Sequence, residues 1–224
     1  MTFTDQPSFD LTGKTALITG ATSGVGLQMA CALGEAGARL MLVAGQADDL
    51  ELAVADLQSA GIDARWVAAD SSQQAGIDHL VAQTLHRMGD IDILVNHAPH
   101  GWESALNLNV GGYLMLSQRV VQHSMRERGQ GRIINVAPTA SSGGQPELLS
   151  TLLHQAAVDA VTHLTQALAA QWGPHHITVN AICPTGDADR HTPDAAHGLK
   201  GACLLFASEA GRHVTGQCLT VDKS

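Results

Sequence analysis

The run Thr15-Ala16-Leu17-Ile18-Thr19-Gly20-Ala21-Thr22-Ser23-Gly24-Val25-Gly26 decides how the rest of the chain is read. Its first half, an aliphatic and β-branched stretch ending at Thr19, has the composition of a buried strand. Gly20 then breaks the strand, and from Val25 onward apolar residues recur at helical period. In a strand–turn–helix of this kind the glycines have separate tasks. Gly20 permits the turn, Gly24 lets backbone approach a pyrophosphate, and Gly26 lets the helix pack closely on the strand. A glycine triplet alone is weak evidence; flanked by a strand and a helix it points to a dinucleotide site. The bland alternative is a tight turn that holds no ligand.

Outward from this turn, short aliphatic runs alternate with longer helical ones, the pattern of a parallel sheet covered on both faces. Strands are predicted at Thr15–Thr19, Arg39–Ala44, Ala64–Ala68, Ile91–Val95, Arg132–Ala137, Ile177–Ile182 and Cys218–Val221. Helices are predicted at Val25–Ala36, Asp48–Ala60, Gly76–Met88, Leu106–Arg128, Leu149–Trp172 and Leu199–Ser208. The broad apolar face of the fifth, which includes Leu149, Leu152, Ala156, Ala160 and Leu164, is wide enough to pack on more than the sheet. Thr185–His197 reads as a polar, structure-poor stretch. The expectation is an α/β fold: one doubly wound Rossmann domain over residues 1–224, with seven parallel strands and crossovers of right hand.

Composition narrows the function. The chain has 224 residues, enough for one full core, with 45% apolar and 15% charged residues, which excludes a disordered or collagen-like chain. Twelve Lys+Arg against 21 Asp+Glu leave a net charge of −9, and no basic cluster exceeds the scattered Arg126, Arg128 and Arg132. Phosphate-backbone binding lacks its electrostatic footprint, so nucleic acid is not the expected partner. The opening Met1–Asp10 has neither a basic nor an apolar leader region, and no 18-residue apolar run follows. No membrane association is expected, and the expected location is the cytoplasm. Cys31, Cys183, Cys203 and Cys218 lie far apart with no Cys-x-x-Cys pair, and are expected to be reduced core residues.

Further ordered segments, Leu94-Val95-Asn96-His97-Ala98, Leu108-Asn109-Val110-Gly111, Gly131-Arg132-Ile133-Ile134-Asn135-Val136 and Ile177-Thr178-Val179-Asn180-Ala181-Ile182-Cys183-Pro184, join the glycine turn. With them the chain resembles the short-chain dehydrogenase/reductase family along nearly its whole length. The resemblance implies an NAD- or NADP-dependent oxidoreductase, with Gly20, Thr22, Ser23, Gly24, Val25, Gly26, Asp70 and Asn96 as cofactor-binding positions. It also implies a tetramer assembled through the two long helices.

The same resemblance places the family's catalytic groups. A Ser polarises the substrate oxygen, a Tyr acts as acid/base, a Lys four residues later lowers the Tyr pKa and holds the ribose, and an Asn completes the relay. Here those positions fall on Pro138, Thr151, Gln155 and Asn109, with the expected interval of thirteen residues between the first two. Only Asn109 is kept, and an interior backbone bond is its plainer role. A phenol near pKa 10 can be tuned by an ammonium, but the aliphatic hydroxyl of Thr151 is not a useful acid and Gln155 carries no charge. Pro138 has no side-chain or backbone donor for an oxyanion. Losing acid/base help costs roughly 10²–10⁴-fold, and losing an oxyanion donor roughly 10²–10³-fold more.

Other departures agree. Pro99 and Thr185 replace family glycines beside the nicotinamide, and the substrate lid shrinks to Thr185–His197. Gly45, Gln46 and Ser23 stand where NAD or NADP would be selected and favour neither; weak or absent binding of the dinucleotide is expected. The expected function is therefore a catalytically inactive subunit, a structural or regulatory partner of an active, paralogous NAD(P)-dependent dehydrogenase in a hetero-oligomer. The alternatives are an active oxidoreductase using His154, which lies at i+3 from Thr151, and a dinucleotide-binding module. Ser141 and Ser142 offer a replacement hydroxyl only if the loop slips by three residues; beside Gly143 and Gly144 they read as a turn. His97-x-x-His100 and His175-His176 lack a third ligand, so no metal is expected.

Overall fold

Alternate residues of the first strand enter opposite cores. The computed structural model describes residues 8–98, 110–138, 147–184 and 193–221. In β1 (Thr15–Thr19), Ala16 and Ile18 join one apolar cluster and Leu17 the other. In β2 (Arg39–Ala44), Leu40 and Leu42 oppose Met41 and Val43 in the same way. Both faces are thus apolar, as a sheet covered on two sides requires. The remaining strands are β3 (Ala64–Ala68), β4 (Ile93–Asn96), β5 (Gly131–Val136), β6 (Ile177–Pro184) and β7 (Cys218–Val221). All seven pair in parallel in the order β3-β2-β1-β4-β5-β6-β7. This is the doubly wound sheet expected from the sequence.

Helices α1 (Gly24–Glu35), α2 (Ala47–Ser59) and α6 (Pro193–Ala207) cover one face with Met29, Leu33, Leu50 and Phe206. On the other lie α3 (Gln74–Met88), α4 (Tyr113–Val120) and α5 (Glu147–Trp172), with Leu80, Leu116, Leu168 and Trp172. Past its last residue, α4 continues through a π-helical turn, Val121–Met125, into Arg126–Arg128. At about 25 cal/mol per Å² of apolar surface, burial of these two clusters is the main stabilising term.

Most predicted bounds shift by a residue or two, and some shifts have a local reason. β4 starts at Ile93 because the Ile91 N–H donates to the Ser124 hydroxyl instead of a neighbouring strand, at 2.8 Å. The buried Asp92 beside it accepts the Thr15 N–H at 2.9 Å and pairs with Arg128, pinning the N-terminal edge of the sheet. β6 runs on to Pro184 because Cys183 and Pro184 still face Thr220 and Val221 across the ladder. β5 ends one residue short of Ala137. The helix after the polar stretch starts at Pro193, a residue whose fixed φ suits a first helical position, so Thr185–His197 is helical in its last five residues.

The cysteine expectation needs correcting. Cys183 and Cys218 form a disulfide between β6 and β7, their Cα atoms 6.6 Å apart. They are 35 residues apart in sequence but meet because β6 and β7 are adjacent strands, a proximity that spacing rules for local motifs cannot register. Cys31 and Cys203 are free, and full burial pushes the Cys203 thiol up to about 12, which keeps it protonated and unreactive.

Candidate functional site

Between β1 and β4 the strand order reverses direction, and there the helices that follow lie on opposite faces, opening a crevice at the carboxyl ends of the strands. A cleft of about 350 Å³ occupies it. The glycine turn forms its floor with Thr19, Gly20 and Thr22, and the ends of β2 and β3 supply Gly45, Gln46, Asp70, Ser71 and Ser72. Asn96, His97 and Ala98 continue from β4, and Gly112 and Tyr113 close the wall.

The turn is built as its glycines imply. Gly20 and Gly24 have φ of +60° and +53°, in the left-handed region that favours glycine. A Cβ on Gly26 would sit 2.2 Å from the Gly20 carbonyl oxygen and 2.8 Å from the His97 Nδ1, so only glycine permits this packing. Ser23 precedes α1 as its N-cap, with extended backbone and no side-chain capping bond, and Val25 is buried against the sheet. Of these predicted positions, Gly20 and Thr22 line the cleft.

His97, at the β4 end of the cleft, is held by the same turn. Its Nδ1 lies 3.0 Å from the Gly20 carbonyl oxygen, an acceptor, so Nδ1 carries the proton. Its N–H donates to the Thr19 hydroxyl at 2.9 Å, and that hydroxyl donates to the His97 carbonyl at 2.8 Å. This ring therefore works as a structural wedge between β1 and β4. His175 and His176 lie elsewhere, in the turn leading into β6, and among the described residues no group of three His, Cys, Asp or Glu is placed to hold a metal ion.

Asp70 and Asn96, both predicted to contact cofactor, line the cleft with different degrees of freedom. The Asp70 carboxylate accepts the Ser72 hydroxyl at 2.6 Å and the Ser72 N–H at 2.9 Å, bonds that hold its pKa below the usual carboxylate range. Asn96 is fully buried, and its amide nitrogen is committed to Ser117 at 3.0 Å and to Asn135 at 2.8 Å. Asn135 in turn donates to Thr165 at 2.9 Å, so a polar chain crosses β4, β5 and α5. The Asn96 Oδ1 is buried without a hydrogen-bond partner. That orphaned acceptor is costly unless a donor reaches it.

An adenosine-sized group fits these residues. The cleft volume lies in the range of small-molecule sites. Gly112 keeps its wall open, since a Cβ there would stand 3.2 Å from the Ser71 carbonyl oxygen. The first turn of α1 presents backbone N–H groups at the glycine turn, as pyrophosphate binding needs.

The positions of the expected catalytic trio lie on two elements. Pro138 is buried just beyond β5, while Thr151 and Gln155 are exposed, one turn apart in α5. The Gln155 amide donates to the Asp159 carboxylate at 2.9 Å. His154 is half-buried on the same helix, and burial pushes its imidazole below its ordinary pKa, favouring the neutral form. Asn109, Pro99, Ser141, Ser142 and Thr185 lie outside the described residues.

Sequence reasoning passed over Tyr113, the only tyrosine of the chain, although its place in the helix after Asn109-x-x-x could have marked it. Its side chain is buried at the cleft wall, and the hydroxyl donates to the Val136 carbonyl at 3.0 Å. Burial raises its pKa further above the normal phenol value, the opposite of what an acid/base at neutral pH requires. It also missed Asp49, which reaches the cleft from α2.

Comparison with known proteins agrees with the fold. A family model described as short chain dehydrogenase matches residues 14–192. The chain is 30% identical to gluconate 5-dehydrogenase of Gluconobacter oxydans, over 96% of this chain and 95% of that protein. It is likewise 30% identical to 5-keto-D-gluconate 5-reductase of Escherichia coli K12, over 96% of each. The crystal structure of a hydroxysteroid dehydrogenase from Escherichia coli superposes with a TM-score of 0.83 at 27% identity, covering 96% of this chain and 98% of that one.

Proposed function

The chain belongs to the short-chain dehydrogenase family, and from that membership we propose that it is a catalytically silent subunit that completes or stabilises an active, paralogous NAD(P)-dependent dehydrogenase. The observation that carries this reading is Gln155, a neutral amide bonded to Asp159 where an ammonium would tune a phenol. Thr151 one turn before it offers only an aliphatic hydroxyl, and buried Pro138 offers no donor.

A nicotinamide dinucleotide, when bound, supplies or accepts the hydride. The residues of this chain can do only part of the accompanying work. The glycine turn can hold phosphates, Asp70 can accept hydrogen bonds from the nucleoside, and Tyr113 and His97 brace the cleft wall. None of Pro138, Thr151 and Gln155 can pass a proton to a substrate oxygen at neutral pH.

The exposed side of α5 supports the same reading. On α5, Leu152 is 59% exposed, and Ala156, His163, Ala167 and Ala170 follow it at helical spacing, all facing out. A stripe that is small and apolar apart from His163 suits close packing against a like helix, from a paralogue or from a second copy. Pull-down from the native cell followed by an NAD(P)H assay tests the proposal. A dehydrogenase that co-purifies and loses activity or stability without this chain supports it; a pure homo-oligomer with no effect on any neighbouring dehydrogenase contradicts it.

A second reading, a working oxidoreductase, draws on His154, whose neutral imidazole lies on the turn of α5 that carries Thr151. Turnover abolished by His154→Ala supports it, and absence of turnover removes it.

A further inference from the structure

The disulfide between β6 and β7 joins two unlike ends. Cys183 is 6% exposed and packs in a small cluster with Tyr113, Ala137, Val161 and Ala181. Cys218 is the first residue of β7, the strand at the end of the sheet, and is partly exposed. Beyond it Leu219 and Thr220 are exposed, so little burial holds this strand. The segment before it is fixed independently of the bridge. The buried Asn180 side chain donates to the Val214 carbonyl at 2.8 Å and accepts the Gln217 N–H at 3.1 Å. The Gly216 N–H donates to the Val179 carbonyl, and the Ala181 N–H to the Gln217 carbonyl, both at 2.7 Å. Firm attachment thus ends at Gln217, and past it the bridge reinforces a single ladder to β6.

We propose that Cys183 and Cys218 form a redox-active pair, and that their reduction by a dithiol releases Leu219–Val221 from β6 while Val214–Gln217 stays docked. Attack falls on Cys218, the more exposed of the two. A thiolate of the reductant bonds to the Cys218 Sγ, the bond between the cysteines breaks, and Cys183 leaves as a thiolate that takes up a proton. The reductant's second thiolate then attacks its own sulfur in the mixed disulfide, which closes the reductant's disulfide and frees Cys218 to be protonated. Two electrons and two protons pass from the dithiol to the protein, and an oxidised dithiol reverses the exchange. The Thr162 hydroxyl lies 2.9 Å from the Val158 carbonyl and 3.4 Å from the Cys218 Sγ, so it can turn its proton from that carbonyl to the departing thiolate. Unbonded sulfurs have to separate to van der Waals contact. With Cys183 held in its cluster, the movement falls on Cys218 and β7.

The test is site-resolved hydrogen exchange and differential alkylation, read by mass spectrometry on the intact chain. The chain is equilibrated with oxidised dithiothreitol, then with the reduced form, then with the oxidised form again. The pair is expected to resist labelling, to label, and to become protected once more, while the buried Cys203 stays unlabelled throughout and so reports an intact fold. Exchange over Leu219–Val221 should rise about tenfold on reduction, and over Thr215–Gln217 by less than about twofold. Glutathione, a monothiol, should be trapped on Cys218. Cys218→Ser should show the reduced pattern from the start and not respond to the reductant. Labelling of the pair in oxidised buffer, reduction only when Cys203 labels as well, exchange that is unchanged or spreads through Thr215–Gln217, or glutathione on Cys183 overturns the proposal.

Discussion

Gln155 donates its side-chain amide to the carboxylate of Asp159, one turn further along α5. The pair uses the i,i+4 geometry in which neighbours on a helix meet. It fixes the side chain along the helix, at the position where the resemblance expects a cation. A single exchange does not rebuild the site. Gln155→Lys is expected to exchange one weak pair for another and shift stability by less than about 0.5 kcal/mol, with no gain in NAD(P)H consumption, since Thr151 and Pro138 are unchanged. Thermal melts and a carbonyl-panel assay check both halves.

Gly26 meets the Gly20 carbonyl too closely for any side chain. Gly26→Ala has to push α1 away from β1, and overpacking of this kind typically costs about 1–3 kcal/mol. The expected outcome is a lower denaturation midpoint together with loss of nucleotide binding. Gly45→Ala, where a Cβ meets nothing within 4 Å, serves as the comparison and should leave stability nearly unchanged.

The Cys183–Cys218 disulfide closes a loop across 35 residues of sequence. On the chain-entropy account, a bridge of this kind contributes about 2–4 kcal/mol. Reduction with a thiol, or Cys218→Ser, is expected to lower the melting temperature by a matching amount, and thiol should have little further effect on the variant. The free Cys203, fully buried and held protonated, should resist alkylation until the chain unfolds.

His154 has its folded-state pKa depressed by burial. Above the unfolded value of about 6.5 both states are neutral and the residue adds no pH dependence. As pH falls through about 6.5 the unfolded chain takes up the proton first, so stability declines until the folded pKa is passed. His154→Gln should flatten that part of the stability profile. Melting curves from about pH 8 to pH 5, wild type against variant, show whether the slope disappears.

Much of this architecture could be read from the chain because its signals are local. The periods of Thr15–Thr19 and Arg39–Ala44 match the observed strands residue for residue. The glycine turn announced its own geometry. What escaped depends on residues far apart in sequence. Ile91 lost its strand character to the hydroxyl of Ser124, Cys183 found Cys218 across two adjacent strands, and Asp49 entered the cleft from the first turn of α2. Asn96 was expected at the nucleoside, yet half its amide is committed to Ser117 and Asn135 inside the sheet. No periodicity reports such an internal polar chain.

The central proposal is that none of Pro138, Thr151 and Gln155, at the expected catalytic positions, can exchange a proton with a substrate oxygen during hydride transfer. Its most direct measurement is steady-state oxidation of NADH and NADPH by the purified chain over a panel of carbonyl substrates, with His154→Ala in parallel. The account predicts no rate above the protein-free background for either protein. A rate in the wild type that disappears in His154→Ala, or on substitution of a residue lining the cleft, would contradict it.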